Sequence, residues 1–184
     1  STLLVNEQKA PFYHGVASGD PLANQVIIWT RLTTHEPTAQ TVEWTMAKDP
    51  NLTQTVRNGK AEAKPENDYT IKVDVDGLEP NQWYYYRFTY KGRHSVTGRT
   101  RTLPVGETAQ WRMAVAACVN LHAGYWNAYR TMALRNDLDA VLHLGDYLYE
   151  YFTPITVGHP HAPAGTLLSL QDYRLRHAQY KLNA

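Results

Sequence analysis

The chain has 184 residues, enough for one or two domains. Its 18 Lys and Arg offset 17 Asp and Glu to a formal charge of +1, which excludes a nucleic-acid partner captured by bulk positive charge. Hydrophobic residues make up 43%, enough for a packed core, and no apolar run approaches the roughly 18–20 residues of a transmembrane segment. The first hundred residues read as β. Val26-Ile27-Ile28-Trp29 is a short apolar strand, and Val42, Trp44 and Met46 alternate with polar neighbours. So do Ile71, Val73 and Val75, and then Tyr84, Tyr86, Phe88 and Tyr90. Period two with one polar face predicts half-buried antiparallel strands. Asp49-Pro50-Asn51, Asn58-Gly59, Asp76-Gly77 and Lys91-Gly92 read as breaks between them, so residues 1–104 are expected to form a β-sandwich domain.

Leu78-Glu79-Pro80-Asn81-Gln82-Trp83-Tyr84 has the pattern L-x-P-x-x-x-Y between two strands. It resembles the tyrosine corner of fibronectin type III and immunoglobulin-like modules, which assigns Tyr84 a structural role. After Pro104 the pattern changes. Residues 111–118 read as a strand, 124–137 as a helix and 140–145 as a buried strand, which together make a βαβ unit with parallel strands. Residues 169–181 read as a second helix, with Ser169 placed to cap it. Two parallel strands do not close an α/β domain. Residues 105–184 are therefore expected to be the amino-terminal portion of a larger domain, the remainder lying in further sequence or on a second chain. A small α+β appendage on the sandwich is the alternative.

Ligands of open α/β folds bind beyond the carboxyl ends of the strands. Cys118 ends the first predicted parallel strand, and Asp146 and Tyr149 follow the second in Gly145-Asp146-Tyr147-Leu148-Tyr149-Glu150. A thiol, a carboxyl and a phenol meeting there point to a metal rather than a catalytic triad. Free tyrosine titrates near pH ~10, so only a strong Lewis acid holds it ionised at neutral pH. For Cys118, a buried thiol that packs as a small hydrophobe is the plain alternative. Arg31 ends a sandwich strand, and its guanidinium suits either phosphate or a nearby carboxylate such as Asp20. Arg174 and Arg176 read as solvated or ion-paired helix residues. Tyr147 and Tyr151 read as wall or packing residues, and the stretch from Tyr147 to Phe152 could also touch an apolar substrate tail.

Gly145-Asp146-x-x-Tyr149 resembles the iron-binding motif of metallophosphatases such as the purple acid phosphatases. The resemblance sharpens with four stretches in order, one of which extends this motif. These are residues 12–21 (FYHGVASGDP) with 26–31 (VIIWTR), 117–120 (ACVN) with 124–129 (GYWNAY), 143–151 (HLGDYLYEY), and 172–176 (DYRLR) with Gln179-Tyr180-Lys181. Together they are similar to the PhoD-like alkaline phosphatase and phosphodiesterase family, which includes secreted phospholipases D without the histidine-lysine-aspartate motif. The resemblance implies a four-layer αββα metallophosphatase domain after the sandwich. It also implies a ferric ion (Fe(3+)) held by Cys118, Asp146 and Tyr149, with one or more calcium ions (Ca(2+)) sharing Asp146. Asn120 would stand where most metallophosphatases place a histidine, as a polar contact.

The remaining family ligands would come from later segments that this sequence does not contain, so the chain alone is expected to be inactive. Metal-dependent hydrolysis of phosphoric esters is the expected activity. A phosphodiesterase or phospholipase D acting on a phosphate ester or phospholipid stands first. An alkaline phosphomonoesterase stands second, and a non-catalytic binding sandwich is the reading from another class. The family implies secretion. Gly158-His159-Pro160-His161 mimics the Gly-His-x-His motif that ends many metallophosphatase domains. It lies within ten residues of Tyr149 and among Pro154, Pro160 and Pro163, and so reads as a loop.

Overall fold

The computed structural model describes residues 6–151 and 157–182, so Phe152 and Pro154 fall outside it. The described residues divide into two compact units, one ending at Thr108 and the other beginning at Ala109.

The first unit contains β1 (Val16–Gly19), β2 (Val26–Arg31), β3 (Gln40–Ala47) and β4 (Thr55–Ala63), then β5 (Thr70–Val75), β6 (Trp83–Tyr90), β7 (Arg93–His94) and β8 (Gly98–Arg101). One sheet has the order β1-β2-β5. The other runs β4-β3-β6, and β6 pairs in addition with β7 and β8. Every one of these pairings is antiparallel. This is the expected β-sandwich. Side-chain alternation carries Val26 and Ile28 of β2, and Tyr84, Tyr86 and Phe88 of β6, onto inner faces, where they join Val42 and Met46 of β3 in one buried cluster. Burial of each such large side chain contributes about 1.5–3 kcal/mol of transfer free energy. Tyr84 is 1% exposed, and its hydroxyl oxygen accepts the Glu79 N–H at 2.8 Å. That is the corner geometry the L-x-P-x-x-x-Y pattern predicts.

β4 corrects the reading of Asn58-Gly59 as a break. Both residues lie inside the strand, with Gly59 opposite Trp44 of β3. A Cβ on Gly59 would lie 2.9 Å from the Trp44 ring, so glycine serves close approach here and not a turn. Gly98 plays the same part under Tyr86, where an added Cβ would lie 2.3 Å from the ring.

The second unit holds β9 (Met113–Ala116) and β10 (Ala140–His143), paired in parallel from Met113 opposite Ala140 to Ala116 opposite His143. Between them α1 (Asn127–Ala133) is shorter than the helix expected over 124–137. Trp126 supplies no side-chain cap, and Gly124 disfavours an earlier start. The last helix, α2 (Leu170–Leu182), is capped as expected. The Ser169 hydroxyl accepts the Asp172 N–H at 3.2 Å, and the Asp172 carboxylate accepts the Ser169 N–H at 2.9 Å. The packed cluster of this unit is small: Val119, Leu121 and Tyr180, with Trp126, Tyr129 and Leu148 against them. Val115, Val141 and Leu144 remain 51%, 59% and 67% exposed.

Candidate functional site

β9 and β10 end side by side, and the chain leaves each through a left-handed residue. Cys118 has φ 59° and Asp146 has φ 51°, with Gly145 at 123°. A non-glycine residue in that region costs about 1–2 kcal/mol, and such strain collects where a side chain must be aimed. The two loops are tied by main-chain bonds beyond the strands. The Cys118 N–H donates to the Gly145 carbonyl at 3.2 Å, and the Val119 N–H to the Asp146 carbonyl at 2.8 Å.

Asp146 Oδ2 is the meeting point. The Cys118 thiol lies 3.4 Å from it and the Tyr149 hydroxyl donates to it at 3.2 Å. Cys118 is exposed, so the alternative of a buried packing thiol does not apply. The hydrogen bond with Cys118, then partial desolvation and the bond and charge of Asp146, raise the Tyr149 phenol well above its ordinary value. A thiol, a carboxylate and a phenol around one oxygen make a donor set that fits a hard, highly charged cation with room for a softer donor. Among the described residues no group of three or more His, Cys, Asp or Glu side chains gathers to hold a metal.

Other predicted positions fall elsewhere. Asn120 uses its side-chain oxygen to accept the His122 N–H at 3.0 Å, closing the turn after Cys118. Arg31 makes a two-pronged pair with Asp68 at 2.9 Å through both Nε and Nη2, and Nη1 donates to Thr33 at 3.1 Å. Its carboxylate partner is therefore Asp68 and not Asp20, and all three guanidinium nitrogens are engaged inside the sandwich. His159 and His161 separate. His159 packs edge-on to Tyr125 at 5.7 Å between ring centroids, and His161 is buried against His122 at 4.9 Å. Tyr147, part-exposed, makes ring contacts 5.4 Å from His143 and 6.1 Å from His177 between centroids.

Two supporting residues escaped the sequence reading. His143 ends β10, and its Nδ1 accepts the Gly145 N–H at 3.2 Å. In neutral His143 the proton is then on Nε2, which lies 3.0 Å from the Tyr129 hydroxyl. This orients the turn that presents Asp146. Its position at the strand end, three residues before Asp146, was the available signal. Arg176 on α2 is fully buried, contrary to the solvated or ion-paired reading. Its guanidinium donates to the carbonyls of Ala162 at 3.3 Å, Pro163 at 2.7 Å and Gly165 at 3.2 Å, and to that of Tyr149. Burial lowers its pKa.

The described residues thus form a β-sandwich and, after it in sequence, a parallel strand pair whose ends gather a thiol, a carboxylate and a phenol. The family models for the PhoD-like phosphatase N-terminal domain and for PhoD-like phosphatase match residues 3–104 and 113–184, and the chain belongs to the PhoD-like phosphatase family. It is 41% identical to alkaline phosphatase D of Bacillus subtilis (strain 168) over 192 residues, covering 97% of this chain and 33% of that protein. A solved structure of PhoD matches with a TM-score of 0.90 at 40% identity, covering 98% of this chain and 37% of that one. The chain thus spans about a third of the length of these relatives.

Proposed function

We propose that this chain supplies the sandwich and the opening of the catalytic domain of a secreted, metal-dependent phosphoric ester hydrolase. The observation that carries the proposal is the convergence of Cys118 and Tyr149 on one oxygen of Asp146. In this reading Cys118, Asp146 and Tyr149 would hold ferric iron, and Asp146 would also serve calcium. Bound there, the metals supply Lewis acidity that draws charge from phosphoryl oxygens and acidifies water. Cys118, just past the end of β9, would contribute its sulfur. Tyr149, whose hydroxyl donates to Asp146, would add a phenolic oxygen, its proton passing to solvent when the metal is bound. The tied turns at Cys118 and Gly145-Asp146 keep the donors oriented without reorganisation. Donors beyond this cluster come from the rest of the catalytic domain, in continuing sequence or on a second chain.

Phosphodiesters, phospholipids included, stand first as substrates. The name of the B. subtilis relative favours a second reading, a phosphomonoesterase. A choline phospholipid, a nitrophenyl diester and a nitrophenyl monoester compared on the full-length protein separate the two. Faster turnover of either diester is expected, and a dominant monoester rate overturns that order. Asp146→Asn in the same protein is expected to lower every rate by at least about a hundredfold, beyond the range for outer-sphere partners alone. Unchanged turnover overturns the metal assignment.

A further inference from the structure

Residues 144–151 follow β10 without helix or strand, so the position of Tyr149 depends on tertiary ties. At Tyr149 itself the side-chain tie to the main chain is Arg176, whose guanidinium reaches the Tyr149 carbonyl from α2. The same guanidinium holds the carbonyls of Ala162, Pro163 and Gly165. Gln179, three residues on, clips the same segment by donating to the Pro160 carbonyl at 2.6 Å and accepting the Ala162 N–H at 2.8 Å. Nearby, the Leu167 N–H donates to the Glu150 carbonyl at 2.8 Å. A fully buried guanidinium compensated only by carbonyl dipoles is costly, and a hydrophobic residue of similar volume would pack this helix face more cheaply. What the arginine adds is a planar fork that joins three loop carbonyls to Tyr149 in one fixed geometry.

We propose that Arg176 is the positioning residue for Tyr149, fixing the main chain from which the phenol meets Asp146. The inference rests on the reading of Tyr149 as a metal donor. Lysine keeps the charge but lacks the planar fork, so Arg176→Lys in the full-length protein is the test. In the metal-free protein, amide exchange over residues 146–151 is expected to rise about tenfold, with sandwich peptides unchanged. In the metal-loaded protein, the tyrosinate-to-iron band is expected to shift and kcat to fall about tenfold at nearly constant KM, the range for outer-sphere partners. Unchanged exchange over residues 146–151 overturns the proposal. So does raised exchange with an unaltered band and kcat, which makes Arg176 a packing residue only. A wild-type protein that binds iron without a tyrosinate band overturns the Tyr149 reading, and this inference with it, whatever the exchange data show. If Arg176→Lys does not fold, Arg176→Gly prepared with methylguanidinium replaces it. Return of the band on adding the guanidinium is expected, and a folded protein that shows no return contradicts the proposal.

Discussion

The two units spend their residues differently. In the sandwich, both sheets turn an alternating apolar face inward, and even the hydroxyl of Tyr84 is used to hold the Glu79 N–H. In the unit beginning at Ala109, β9 and β10 expose Val115, Val141 and Leu142, and the buried Arg176 and Gln179 hold loop carbonyls. Its left-handed residues Cys118 and Asp146 sit at the cluster, and its buried arginine serves main-chain carbonyls. The same residue type therefore does different work in each unit. Tyr84 braces a corner, whereas the Tyr149 hydroxyl meets a carboxylate in an exposed loop, and in the proposed reading that is the difference between a stabilising and a metal-holding tyrosine.

Making one substitution in both places sharpens that contrast. Tyr149→Phe in the full-length protein is expected to lower kcat by at least about tenfold and to remove any tyrosinate band, with little change in melting temperature. Gly98→Ala, which drives a Cβ into the Tyr86 ring, is expected to cost about 1–3 kcal/mol in denaturant melts while leaving turnover per folded molecule intact. Tyr84→Phe leaves the Glu79 N–H unpartnered and should cost about 1–3 kcal/mol, again with turnover unchanged. A Tyr84→Phe protein that keeps its stability but loses activity would break the comparison.

A smaller effect concerns pH. Burial, then the charge of Arg176 and the neighbouring His122, push His161 down from 6.5 to about 4, and Tyr180 packs on the same ring. Between those values the unfolded chain binds a proton that the folded chain refuses. Stability from this group is thus complete above pH 6.5 and is lost as the pH falls toward 4. His161→Phe should flatten the fall in melting temperature across that window, and an unchanged slope assigns the fall to other groups. The smallest effect is expected at the exposed Lys48–Glu79 pair, 2.7 Å apart, where Lys48→Gln should change stability by less than about 1 kcal/mol.

Legibility in the sequence followed the same division. β3, β5 and β6 alternate cleanly because each has one wet face and one dry face. β4 does not: Thr55–Ala63 is polar on both faces apart from Val56 and the alanines, and it ends its sheet, so its Asn-Gly pair looked like a turn. β1 and β8, four residues each, are too short to show a period. The convergence of Cys118, Asp146 and Tyr149 was legible because they sit just past two strand ends. Asn120 and Arg31 were legible as residue types, but local partners engage them. Arg176 was not legible, since arginine on a helix is ordinarily solvated and its carbonyl partners come from loops distant in sequence.

Iron content together with a visible spectrum of the natively purified full-length protein tests the central claim most directly. Iron with a tyrosinate-to-metal band that disappears in Tyr149→Phe is the expected result. Protein that turns over phosphate esters without iron and without colour would contradict the assignment of Cys118, Asp146 and Tyr149 as its ferric site.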